Sequence, residues 1–163
     1  MFTSKLLFLS LFTIFVTQYL VVAQPTAQGQ LPIITLPYCQ VQAAVFNETG
    51  DFYVFQNVRF AAPPTGSLRF QEPQPPLLET TVNDGSVTGN CSTQEDCLFL
   101  DIYVPATAQA GSNFSVVVYL YGGGYQGGSK DNNNPAGLLK MSGNSIIFVA
   151  PNYRVRSLSI QRC

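Results

Sequence analysis

Apolar and polar positions are distributed unevenly along the chain, and the regular pattern begins late. Residues 24–37, rich in Gln, Pro and Thr, predict an extended leader lying over a domain surface. Cys39 to Phe46 alternates weakly and Phe52-Tyr53-Val54-Phe55 is a second strand-like run. The intervening Asn47-Glu48-Thr49-Gly50-Asp51 has turn chemistry, so a small N-terminal hairpin is expected. Prolines at 63, 64, 73, 75 and 76 exclude regular helix or central strand over 61–76 and predict a surface connection. Asn83-Asp84-Gly85-Ser86 is another turn. Cys97 to Val104 then has strand composition and stops at Pro105. Ser115 to Tyr121 is a nearly unbroken, β-branched apolar run, and Asn144 to Ala150 is a further run of the same kind. Such runs fit strands covered on both faces, as in α/β sheets. Pro135 to Met141 predicts a short helix with proline tolerated in its first turn.

The first residues have a different pattern. Lys5 precedes an apolar run from Leu6 to Val16, which continues more weakly to Val22. Val21-Val22-Ala23 then offers small residues for cleavage before Gln24. The clean run is shorter than the ~20 residues that span a bilayer. A signal peptide over 1–23 and a secreted chain with no membrane span are therefore expected. Three N-glycosylation sequons, at Asn47, Asn90 and Asn113, agree with that route, as do four cysteines (39, 91, 97 and 163). Four cysteines allow three pairings, and none of them forms CxxC, so a zinc or thioredoxin-type site is not expected.

Composition narrows the chemistry. Of 163 residues only 10% are charged, against about 25% in typical domains, and the net charge is -1. That near-balance offers no footprint for nucleic acid. Histidine is absent, which removes a His base, a His ligand and a His pH switch from these residues. No metal site is expected.

Chemistry concentrates in Gly122-Gly123-Gly124-Tyr125-Gln126-Gly127-Gly128-Ser129, which follows directly on an apolar strand. Gly122, Gly124 and Gly127 satisfy GxGxxG, but the acid required at the end of the next strand is missing where Ala150-Pro151-Asn152 stands. A phosphate loop would need Gly-Lys-Ser/Thr, and the order here is Gly128-Ser129-Lys130. Two readings remain: an oxyanion-binding loop of the hydrolase type and an ordinary surface turn.

Several segments together resemble one family. Glu95 to Pro105, with Glu-Asp-Cys-Leu at its head, resembles the signature of type-B carboxylesterases and lipases. Asn57 to Phe70, Tyr121 to Tyr125 and Pro151 to Val155 resemble further family segments in the same order. The likeness covers roughly 38–155 and is similar to secreted fungal esterases in particular. It implies the N-terminal, incomplete portion of an α/β-hydrolase fold: a small N-terminal sheet plus the first strands of the central mixed sheet. It implies hydrolysis of a carboxylic ester without a cofactor, with Gly123 and Gly124 as oxyanion donors and Tyr125 adjacent to the pocket. It also implies a Cys91–Cys97 disulfide, an Arg69–Glu95 ion pair, and an Arg154 whose acidic partner lies outside these residues. No GxSxG nucleophile elbow occurs, and with histidine absent the catalytic serine and base have no candidates here. The family pattern stops at Arg156, so 156–163 is expected to be a divergent tail from truncation or mis-splicing, and the chain alone is expected to be inactive. The alternative is a non-catalytic secreted esterase-like binding protein.

Overall fold

The computed structural model describes residues 30–155 apart from Tyr125. The expected signal peptide, the tail from Arg156, Cys163 and Tyr125, expected beside the pocket, lie outside the described residues. A five-stranded mixed sheet is built from β3 (Val45–Asn47), β4 (Phe52–Arg59), β6 (Phe99–Pro105), β7 (Ser115–Val118) and β8 (Ile146–Pro151), in the order β3-β4-β6-β8-β7. A small sheet of β1 (Ile33–Leu36), β2 (Cys39–Gln42) and β5 (Val82–Asn83) packs beside it, and one short helix, α1 (Ala136–Met141), joins β7 to β8. The large sheet is antiparallel except for its β7–β8 pair, which is parallel.

The hairpin turn forms where its chemistry predicts. Asn47 Oδ1 accepts from Gly50 N at 2.7 Å, and a Cβ on Gly50 would strike the Phe52 ring at 2.2 Å. The run Cys39 to Phe46 is not one strand, however. It breaks at Ala43-Ala44, so β2 belongs to the small sheet and β3 pairs with β4 in the large one. Part of the expected leader, Ile33–Leu36 between Pro32 and Pro37, is itself a strand paired with β2. Pro135 stands at the N-cap of α1, one position before the expected first turn.

A bulge in β4 decides how the two sheets meet. The register with β6 shifts between Phe55 and Val58, and Asn57 adopts φ 53° there. The extra residue lets Phe55 and Val58 face the same side, where they pack with Leu100 and Ile102 against Cys39, Val41 and Ala43 of the small sheet. The strained Asn57 is held by its N–H to Asp101 Oδ1 at 2.8 Å and by its Nδ2 to the Gly85 carbonyl at 2.7 Å. On the opposite face Phe52, Val54, Phe148 and Ala150 pack against Leu139 of α1. A fully buried leucine such as Leu139 contributes about 1.5–3 kcal/mol by removal from water.

The β7 run departs from expectation. The strand ends at Val118, and only its Val117 side is covered, by the α1 cluster. Val118 is 58% exposed and Leu120 64%, because β7 is the last strand of the sheet and the small sheet covers only β4 and β6.

Candidate functional site

β7 and β8 run parallel, with Val116 opposite Ile147 and Val118 opposite Val149. Their C-terminal ends therefore lie side by side, the location where ligands bind in open α/β sheets. The glycine loop leaves from one end and Asn152 to Val155 from the other.

Glycine is required by this loop's backbone. Gly123 has φ 147°, Gly124 60° and Gly128 108°, values that L side chains rarely adopt. A Cβ on Gly123 would sit 2.1 Å from the Gly127 carbonyl oxygen, and one on Gly128 2.5 Å from the Tyr121 ring. Gly122 and Gly124, by contrast, have open space where a Cβ would be. The loop closes on itself through Gln126 N to the Gly123 carbonyl at 3.1 Å. The N–H groups of Gly123 and Gly124 donate to no acceptor among the described residues. Together with Leu120, Gly122 and Tyr153, these two glycines line an open cleft of about 470 Å³.

The loop is anchored at both ends. Tyr121 and Tyr153 stack with centroids 4.3 Å apart and planes 17° apart. The Tyr153 hydroxyl donates to the Tyr121 carbonyl at 2.5 Å, and the Tyr121 hydroxyl to the Tyr153 carbonyl at 3.0 Å. Burial pushes the Tyr121 hydroxyl above its usual range, so it remains a donor at neutral pH. Ser92 Oγ donates to the Gly128 carbonyl at 2.9 Å. Ser92 sits in the loop closed by the Cys91–Cys97 disulfide, a six-residue separation that stabilises the fold by about 2 kcal/mol in the chain-entropy treatment.

Beyond the glycines, Lys130 and Asn152 tie the loop to the sheet. Lys130 N donates to Asn152 Oδ1 at 2.9 Å, and Asn152 Nδ2 reaches the carbonyls of Gly89 and Cys97. Lys130 Nζ lies 2.9 Å from the carboxylates of both Asp101 and Asp131. Ser129 Oγ and Lys130 bond the Asp131 carboxylate, and they pull its pKa down against the opposing effect of burial, which is the largest single influence on it.

Other residues singled out in the sequence are spread over the molecule. Arg69 Nε is 2.8 Å from Glu95 Oε1, a charge contact without hydrogen-bond alignment. Both groups are partly exposed, so the contact contributes about 0–1 kcal/mol. The pairing that sequence reasoning missed is stronger. Arg59 grips both oxygens of Asp96, at 2.6 and 3.0 Å, reaches Glu79 at 3.4 Å and stacks on Phe99. A signal was present, since Asp96 neighbours Glu95 and Arg59 shares a segment with Arg69. The buried Lys130–Asp101 pair was missed too, because nothing in the sequence links positions 29 apart. Arg154 is not a buried, unpaired charge. It is half-buried and its Nη1 donates to the Gln71 carbonyl at 2.8 Å, and no carboxylate among the described residues pairs with it.

Of the three sequon asparagines, Asn113 is exposed, while Asn47 and Asn90 are half-buried with Oδ1 engaged by Gly50 N and Ser92 N. Cys39 is buried and forms no disulfide among the described residues. Among the described residues no group of three or more His, Cys, Asp or Glu is placed to hold a metal, and no helix is long and apolar enough to cross a membrane.

With this geometry in hand, similarity to known proteins is informative. The sequence profile of the carboxylesterase family matches residues 30–160. Carboxylesterase patB of Aspergillus clavatus is 32% identical over 79% of this chain and 34% of its own length. Carboxylesterase patB of Penicillium expansum is 30% identical over 83% and 36% respectively. The crystal structure of Aspergillus niger EstA superposes with TM-score 0.72 at 33% identity, covering 81% of this chain and 27% of that one. The chain thus spans about a third of the length of these two curated relatives.

Proposed function

Because the chain belongs to the carboxylesterase family, we propose that it carries the oxyanion-binding part of a secreted carboxylic ester hydrolase. The observation that supports this most directly is the pair of uncommitted amides at Gly123 and Gly124, at the C-terminal ends of two parallel strands and on the wall of a cleft. In ester hydrolysis a nucleophile adds to the acyl carbonyl and negative charge develops on its oxygen. Two fixed N–H donors stabilise that charge without reorganising, each by roughly 3–4 kcal/mol in comparable hydrolases. Leu120 and Tyr153 give the cleft an apolar wall suited to the hydrocarbon part of an ester. The 163 residues contain no histidine and no GxSxG, so in this reading a serine nucleophile and its base act from residues other than these, and the chain alone turns over no ester. Secretion is supported by the Cys91–Cys97 disulfide and the three sequons.

The test is a graft. Residues 38–155 replace the matching segment of the Aspergillus clavatus carboxylesterase, and hydrolysis of p-nitrophenyl acetate is followed for the graft and for the chain alone. Activity is expected only in the graft, and Gly123→Val, which drives a side chain into the Gly127 carbonyl, should reduce it by at least about a hundredfold. Turnover by the chain alone, or a Gly123→Val graft as active as its parent, would refute the reading.

A further inference from the structure

We propose that Tyr121 and Tyr153 are positioning residues: a reciprocal clamp that sets the direction of the loop amides. The proposal rests on the reading of Gly123 and Gly124 as oxyanion donors and names what holds them in place.

The need for a clamp follows from the loop's composition. Three successive glycines leave the backbone without Cβ restraint, and glycine loses more conformational freedom on ordering than any other residue. Inside the loop, the Gln126 N–H to Gly123 carbonyl bond holds the peptide plane that carries the Gly124 N–H, so the plane at the start of the loop is the one that must be fixed from outside. The Tyr121 carbonyl and Gly122 N–H share one planar peptide unit, so whatever fixes that carbonyl fixes the first plane of the loop. Tyr153 does so with its hydroxyl at 2.5 Å. The Tyr121 hydroxyl returns the contact to the Tyr153 carbonyl at 3.0 Å, and Tyr153 N lies 3.4 Å from that hydroxyl. Each tyrosine thus holds the main chain of the other, across the ends of β7 and β8.

The clamp has a rigid base. Tyr121 is buried in the cluster of Ala61, Cys91, Cys97, Leu98 and Val155, and Tyr153 packs against that cluster from the cleft side. The returning end of the loop seats on the same ring, since a Cβ on Gly128 would meet it at 2.5 Å. The loop therefore starts and finishes on Tyr121. Ring packing alone would be served by phenylalanine, which keeps the stack and loses both carbonyl tethers. The hydroxyls are what separate positioning from packing.

The experiment uses 15N relaxation on the full chain carrying Tyr153→Phe, Tyr121→Phe or both. Order parameters at Gly122, Gly123 and Gly124 are expected to fall from about 0.85 to below about 0.6 in Tyr153→Phe, with β8 amides unchanged. Tyr121→Phe should produce a smaller fall at the same residues, and it carries the test if Tyr153→Phe does not fold. Unchanged order parameters at the three glycines in the variants that fold overturn the clamp. In the grafted enzyme the same substitutions should lower kcat by up to about a hundredfold and leave KM within about twofold, a split that loss of stability alone does not produce. Loss of loop order with kcat intact would keep the clamp and overturn the oxyanion reading, so the two failures are distinguishable.

Discussion

Replacing Asp101 with Asn perturbs the most deeply buried ion pair among the described residues. Lys130 and Asp101 side chains are 3% and 4% exposed, and Lys130 Nζ sits 2.9 Å from the carboxylate. The substitution keeps shape and leaves an oxygen to accept from Asn57 N, but it removes the charge and turns an amide N–H₂ toward the ammonium. Stranding one member of a buried pair costs about 3–5 kcal/mol. The second partner of Lys130 restores little of this, because the Asp131 side chain is 61% exposed and such pairs contribute about 0.2–1 kcal/mol. A loss near 3 kcal/mol is therefore expected. Against a total of about 5–15 kcal/mol, and with a urea slope of about 2 kcal/mol per M, the unfolding midpoint should fall by roughly 1.5 M. Lys130→Met should cost a similar amount from the other side. The double variant should cost less than the sum, with a coupling of at least about 2 kcal/mol. Urea unfolding followed by far-UV circular dichroism measures all four corners of the cycle. Single variants within about 1 kcal/mol of the parent, or strict additivity, would show that the pair is not desolvated as the packing implies.

Two further outcomes follow from the same structure. The Tyr103 hydroxyl is pushed up to about 12, first by burial and then by the negative charges of Asp101 and Asp131. Between about pH 10 and 12 the unfolded chain loses this proton while the folded chain retains it. Stability should therefore fall as pH rises through that window, by about 1–2 kcal/mol after solvent screening. Tyr103→Phe should flatten that part of a stability–pH curve, and an unaltered alkaline limb would contradict the assignment. At the open edge of the sheet, Val118→Lys adds a charge to an exposed position on β7 and should raise the concentration at which the chain begins to scatter light. Val117→Lys, one residue away in the α1 cluster, should instead destabilise by several kcal/mol. Equal behaviour of the two variants would mean that the edge does not drive association.

Local signals were legible where neighbouring residues determine the outcome. The Asn47–Asp51 turn, the proline-rich connection, the end of β6 at Pro105 and the short helix after Pro135 each rest on one or two residues with restricted dihedrals. The glycine loop was legible for the same reason, since its φ values at Gly123, Gly124 and Gly128 exclude most other residues. Strand membership was less legible. Nothing local in Cys39 to Phe46 says that the chain changes sheets at Ala43, and nothing in Ser115 to Tyr121 says that one face stays open.

By itself, then, the order of residues determined most strands of the large sheet, the short helix, the hairpin turn, the glycine loop and the family segments that carry it. These depend on backbone sterics and on periodicity, which act over a few positions. Tertiary structure alone decided which elements become neighbours: the bulge at Asn57 that aims Phe55 and Val58 at the small sheet, Arg59 on Asp96, Lys130 under Asp101, and Tyr121 stacked on Tyr153. Those contacts join residues 29 to 44 positions apart in the cases of Lys130 with Asp101, Tyr121 with Tyr153, Arg59 with Asp96 and Asn57 with Asp101. Their free energy comes from shared burial and charge, which exist only once distant strands have been brought together.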